Sequence, residues 1–110
     1  MDELRGALFS AAEAKKQLDG QRFATIFERG SLALEIYSPR GQDLQQPHTR
    51  DEVYFVVSGR GEFVYGDSRR SFIPGDFLFA AASVIHRFEN FTEDLLVWVI
   101  FYGPEGGETV

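Results

Sequence analysis

The sequence holds no cysteine, no apolar run longer than eight residues, only two histidines and a single tryptophan. Without cysteine there is no disulfide framework and no thiolate nucleophile or ligand. The longest apolar run, Leu95 to Tyr102, falls far short of the roughly 20 residues a helix needs to cross a bilayer, so no membrane is expected as partner. The N-terminus lacks both a basic segment and an apolar core of the kind that directs secretion, which makes the cytoplasm the expected compartment. Basic residues are scarce as well: 11 Lys and Arg stand against 17 Asp and Glu, a net charge of -6, with no basic stripe longer than a pair such as Arg69-Arg70. A polyanion would be repelled over most of such a surface, which excludes nucleic acid as an expected partner.

What is present suits one compact domain over residues 1–110. The chain is 44% hydrophobic and rich in Phe, with 11 in 110 residues, enough to fill a core of its own. Ser10 followed three residues later by Glu13 is a capping box, and the stretch from Ala11 to Leu18, ended by Asp19-Gly20, predicts one short helix. Residues 22–29 and 31–38 read as strands joined near Gly30, with Leu32, Leu34 and Ile36 on one face and Ala33, Glu35 and Tyr37 on the other. Further short strands follow at 62–65, 69–73, 77–79, 84–89 and 95–102, separated by Gly66-Asp67, Pro74-Gly75-Asp76, the small-residue stretch 80–83 and a connection beginning at Asn90. Phe77-Leu78-Phe79 reads as buried, the run from Leu95 as a strand covered on both faces, and the acidic, glycine-rich stretch 103–110 as a loose tail. Short strands with a turn every 8 to 12 residues predict an all-β sandwich or barrel.

Residues 46–61 carry the candidate chemistry. If the chain runs straight there as a strand, Gln46, His48, Arg50, Glu52 and Tyr54 share one face, and that face offers metal-ligand atoms at the end of the β-branched and aromatic run Val53 to Val57. Glu52 lies against an otherwise apolar strand, and a buried carboxylate without a partner is very costly, so a metal ion would answer that need. Arg50 and Tyr54 are weaker candidates, as anion clamp and proton donor. Tyr65, Phe63, Phe77, Phe79, Phe88 and Trp98 are candidate pocket walls, with plain core packing the commoner role for such residues.

The stretch resembles the first motif of the cupin family, G-x5-H-x-H-x3/4-E-x6-G, with His48, Glu52 and Gly59 in register. Gln46 stands in place of the first histidine, and the leading glycine comes one residue late, at Gly41. The second cupin motif, G-x5-P-x-G-x2-H-x3-N, is met by Gly75, His86 and Asn90, with Ala81 and Ser83 replacing its proline and second glycine. The resemblance implies a double-stranded β-helix, or jelly-roll barrel, with one short N-terminal helix: helix and first strands in 1–40, a metal-binding core in 41–102 and the tail in 103–110. It implies one divalent metal ion, Zn, Fe, Mn or Ni, held by His48, Glu52 and His86 with Gln46 as fourth ligand. Both histidines of the chain fall on motif positions. Type I phosphomannose isomerases, also cupin barrels, hold zinc with a Gln-x-His pair, a Glu and a distant His, although their glutamate spacing differs.

Two imidazoles and one carboxylate are the donor set of non-haem iron sites with open positions. A metal-dependent enzyme of oxygenase type, acting on a small organic molecule, is the first expectation. A non-enzymatic module that binds or senses a small ligand is the second, and an isomerase or lyase with a zinc-like site the third; a barrel that has lost its metal ranks last. Small cupins commonly pair, so a homodimer is expected with a small-molecule ligand or substrate.

Overall fold

In a computed structural model, residues 8–43 and 47–109 are described. Helix α1 spans Ala11–Lys16, with the Ser10 hydroxyl accepting from the Glu13 amide at 3.2 Å, as the capping box predicts. Among the described residues eight strands follow: β1 Phe23–Arg29, β2 Leu32–Tyr37, β3 Asp51–Ser58, β4 Gly61–Tyr65, β5 Ser68–Phe72, β6 Phe77–Ala80, β7 His86–Glu89 and β8 Leu96–Tyr102. All pairings are antiparallel. They build a five-stranded sheet in the order β1-β2-β8-β3-β6 and a three-stranded sheet in the order β5-β4-β7, the all-β architecture with one short helix that the sequence predicts.

The sheets face each other across one aromatic and aliphatic core. Tyr37, Tyr54, Val56, Val97, Val99 and Phe101 of the larger sheet meet Phe63, Phe72 and Phe88 of the smaller, with Tyr54 and Phe88 ring centroids 5.0 Å apart in edge-to-face contact. The alternation on β2 holds: Ala33 and Tyr37 point into this core, while Ile36 points outward onto α1, where it packs with Ala14, Leu18 and Leu96. The helix covers only one end of the outer face. Gly59 lies where β3 turns into β4, at φ +88°, and a Cβ there would sit 2.5 Å from the Leu95 Cα, so the crossing of these two segments admits glycine alone.

Several boundaries differ from the sequence reading. Strand β3 begins at Asp51, so residues 47–50 are not strand, and Gln46 of the expected straight run lies outside the described residues. Pro47 has no N–H to give a ladder, and the carbonyls of His48 and Thr49 are taken by the Ser83 and Gly106 amides, both at 2.7 Å. Strand β7 begins at His86 because residues 81–84 close a turn through the Val84 amide and Ala81 carbonyl. Phe77 and Phe79, expected to be buried, are 68% and 49% exposed: β6 is an edge strand, and only Leu78 and Ala80 turn inward from it. Residues 103–108 are not loose, since the amides of Gly103, Gly106 and Glu108 donate to Ser31, Thr49 and Asp51. Among the described residues no helix is long and apolar enough to cross a membrane.

Candidate metal centre

Three elements converge at one end of the core. Glu52, second residue of β3, points inward between its partners Phe101 on β8 and Ala80 on β6 and is fully buried. Tyr54 follows it on the same face. From the opposing sheet comes His86, first residue of β7, opposite Tyr65 in the ladder and 3% exposed. His48 arrives from the loop before β3 with its ring edge-on to Phe101, centroids 4.9 Å apart. His86 Nε2 lies 2.6 Å and His48 Nδ1 3.0 Å from the same atom, Glu52 Oε1. Donor atoms from the three side chains all lie within 4.8 Å of one another.

The hydrogen bonding of His86 says what this cluster needs. Its Nδ1 lies 2.8 Å from the Val84 carbonyl, which can only accept, so Nδ1 carries a hydrogen. Neutral His86 therefore directs the Nε2 lone pair at a carboxylate oxygen 2.6 Å away, an arrangement that repels unless a cation lies between the two atoms. In the metal-free protein that cation is a proton. Burial works against a charged imidazole, but the hydrogen bond to Glu52, the Val84 carbonyl and the charge of Glu52 outweigh it and raise the His86 pKa above its ordinary 6.5. Burial likewise pushes Glu52 up, and the hydrogen bonds and charges of His48 and His86 overcome it, leaving the carboxyl below its ordinary 4.5. The Tyr54 hydroxyl is 3.1 Å from His86 Nε2.

Glu52 Oε2 is buried and has no hydrogen-bond partner among the described residues. A buried carboxylate oxygen without a partner is costly. A divalent ion held by Glu52, His86 and His48 would remove the penalty, so the donor set fits a first-row metal. The expected ligands His48, Glu52 and His86 are thus brought together. Gln46, the fourth expected ligand, lies outside the described residues.

A cavity of about 790 Å³ opens beside this cluster, with His48 and Glu52 in its wall. None of the aromatic residues expected as pocket walls lines it. Phe63 and Phe88 pack against each other in the core, centroids 5.5 Å apart, and Tyr65 takes the Ala81 amide on its hydroxyl. Phe77 and Phe79 face solvent, and Trp98 packs beside α1. Phe23, Tyr37 and Phe101 supply aromatic wall instead, and Arg22, Glu28, Glu35, Arg50 and Glu105 add charged groups to it. Arg50 sits with its guanidinium 5.9 Å from the Phe101 ring centre and donates to the Ser31 carbonyl.

Glu35 escaped the sequence reading as a site residue. It lies on the inward face of β2 between Ala33 and Tyr37, where a charged side chain breaks an apolar alternation, and that break was the available signal. Burial raises its pKa above 4.5, against the opposing charge of nearby His48 and a bond from Thr25. Asp51 was missed as well, and no local pattern marks it. Asn90, though on a motif position, stands apart from the cluster: at φ +51° it turns the chain, and its side-chain amide donates to Glu62 at 2.6 Å on the surface.

Residues 33–102 match the family described as the Cupin domain. An uncharacterized protein of Streptomyces coelicolor is 39% identical over 88 residues, covering 79% of this chain and 84% of that one. Among solved structures, an uncharacterized protein of Klebsiella pneumoniae with a double-stranded β-helix domain superposes with a TM-score of 0.71, at 17% identity over 89% of this chain and 90% of its own, a likeness of fold. A candidate mannose-6-phosphate isomerase of Ralstonia eutropha superposes with a TM-score of 0.59, at 26% identity over 74% of this chain and 83% of that one.

Proposed function

The chain belongs to the cupin family, and from that premise we propose that it is a metal-dependent enzyme for a small polar organic molecule, binding one divalent ion through His48, Glu52 and His86. The observation that carries this reading is the fully buried Glu52, with one oxygen shared by two imidazole nitrogens and the other without a partner among the described residues, at the wall of a 790 Å³ cavity. A metal held there would supply Lewis acidity or, as iron(II), activation of dioxygen. Oxygenase-type chemistry stands first because two imidazoles and one carboxylate leave coordination positions open.

The protein's own groups divide the remaining work. The Val84 carbonyl holds His86 with Nε2 toward Glu52, and the rings of Tyr54 and Phe101 keep water from the inner side. Only His48 and Glu52 of the three reach the cavity, so the molecule acted on approaches from their side. Glu35, across that cavity and half-buried, holds a proton more readily than an ordinary carboxyl and is the group that exchanges it with the bound molecule. The wall sets charged groups beside the rings of Phe23, Tyr37 and Phe101, which suits a small molecule that offers polar groups and an apolar face together. A second reading, a zinc- or manganese-dependent isomerase, draws on the 26% identity to the candidate isomerase of R. eutropha. Homodimerisation, carried over from the family, is part of the same proposal; a monodisperse monomer in sedimentation would remove it.

The test is elemental analysis of tag-free protein after growth with several metals, beside His48→Ala and His86→Ala. Near one equivalent in the wild type and none in either variant is expected. Oxygen uptake by the iron(II) form with a panel of polar substrates supports the oxygenase, turnover without oxygen the isomerase, and saturable binding without turnover would leave a binding module. No metal in the wild type after reconstitution overturns the reading.

A further inference from the structure

His48 differs from its two partners in belonging to no strand, so no sheet ladder sets its position. Its loop is held from outside. The His48 carbonyl accepts from the Ser83 amide and the Thr49 carbonyl from the Gly106 amide, both at 2.7 Å. Those two donors belong to the turn that feeds His86 into β7 and to the segment that leaves β8. One side chain joins the same two segments to each other. Asp51, 6% exposed and immediately before Glu52, accepts from the Ala82 amide on Oδ1 and from the Glu108 amide on Oδ2, each at 2.9 Å.

The segment is fitted to that carboxylate. Its start is tied by the Gly103 amide to the Ser31 hydroxyl at 3.1 Å. Gly107, at φ +91°, passes so close that a Cβ would stand 2.9 Å from Asp51 Oδ1 and 3.1 Å from the Ala82 Cβ. Glu105 lines the cavity together with His48. Resting on the metal-site reading above, we propose that Asp51 and residues 103–108 form a clasp that positions His48 against Glu52 and His86, so that this segment sets the affinity and coordination geometry of the metal. Asp51 is a positioning residue in this account: it touches no ligand atom and acts through the backbone on either side of the site.

Glu108→Pro tests the clasp, because it deletes the amide donor and leaves Asp51 intact; Glu108→Ala keeps that donor and serves as its control. Titration with cobalt(II), followed by visible absorption, is expected to show binding weakened about tenfold and an altered ligand-field band in Glu108→Pro. Wild-type behaviour is expected of Glu108→Ala, and Asp51→Asn is expected to follow the proline variant. Equal affinity and an identical band in Glu108→Pro and wild type would overturn the proposal. Amide hydrogen exchange on metal-free protein gives a second reading that needs no metal. Faster exchange at Ser83 and Gly106 in Glu108→Pro supports the clasp, and unchanged protection at both rejects it. Wild-type protein that takes up no cobalt would sink the metal-site reading, while the exchange experiment would still decide whether the clasp holds the loop.

Discussion

The two histidines of the site reach the same oxygen of Glu52 by different means. His86 is part of a β ladder, 3% exposed, with its ring turned by a backbone carbonyl two residues before it. His48 stands on a loop, its side chain 35% exposed, with its ring in edge contact with Phe101 and in the wall of the cavity. One ligand is therefore built into the fold and the other is presented by tethered backbone. The difference teaches where precision and access reside: the buried side supplies a rigid anchor, and the loop side lets a small molecule approach.

Substituting the two residues separates these roles. His86→Ala is expected to lose stoichiometric metal and also to destabilise the metal-free protein by about 3 kcal/mol in urea unfolding, since Glu52 is left buried without its main partner. His48→Ala is expected to lose the metal just as fully at a cost of about 1 kcal/mol or less, because the His48 side chain is 35% exposed and screened by water, and Glu52 keeps His86. Equal losses of stability in the two variants would break the comparison.

Acidity sharpens the contrast with a smaller effect. In the metal-free protein Glu52 titrates below 4.5 and His86 above 6.5, so between those values their charged pair contributes its full stabilisation. That contribution fades as pH rises through the raised His86 value, because the unfolded imidazole has already lost its proton, and fades again as pH falls through the lowered Glu52 value. The slope above pH 6.5 is expected to approach, at most, about 1.4 kcal/mol per pH unit, seen as a falling Tm of metal-free protein. His86→Ala should remove it and His48→Ala should leave it. Metal-loaded protein should show the opposite trend, since protons compete with the ion for imidazole; parallel curves with and without metal would count against the site.

The smallest effect belongs to Asn90. Glycine satisfies its positive φ, and the lost bond to Glu62 lies on the surface. Asn90→Gly is expected to change stability by about 0.5 kcal/mol or less and metal content not at all. A drop in metal content would place Asn90 inside the site despite its position.

Much of this was legible beforehand, for local reasons. The cap of α1, the alternation along β2 and the turns at glycine depend on a few adjacent residues, and each was readable as a pattern. The convergence of His48, Glu52 and His86 was legible through motif spacing, helped by there being two histidines in the whole chain. The pocket was misread. Alternation sorts residues into two faces without saying which face is interior, so the exposed Phe77 and Phe79 looked like wall while inward Glu35 passed unnoticed. Phe77 and Phe79 lie on the outer face of β6, opposite the inward Leu78 and Ala80, and which face of a strand is covered is not written in any one strand.

By itself, then, the sequence determined the element types, the absence of thiol chemistry, the acidic surface and the identity of the candidate ligands, because propensity, charge and motif spacing act over short stretches of chain. Tertiary structure alone decided that Glu52 has a buried oxygen with no partner among the described residues, that the cavity wall sets charged groups beside Phe23, Tyr37 and Phe101, and that Asp51 joins the two segments beside His48. The partners of Asp51 lie 31 and 57 residues away, and only the pairing of β3 between β8 and β6 within one sheet brings them within a hydrogen bond.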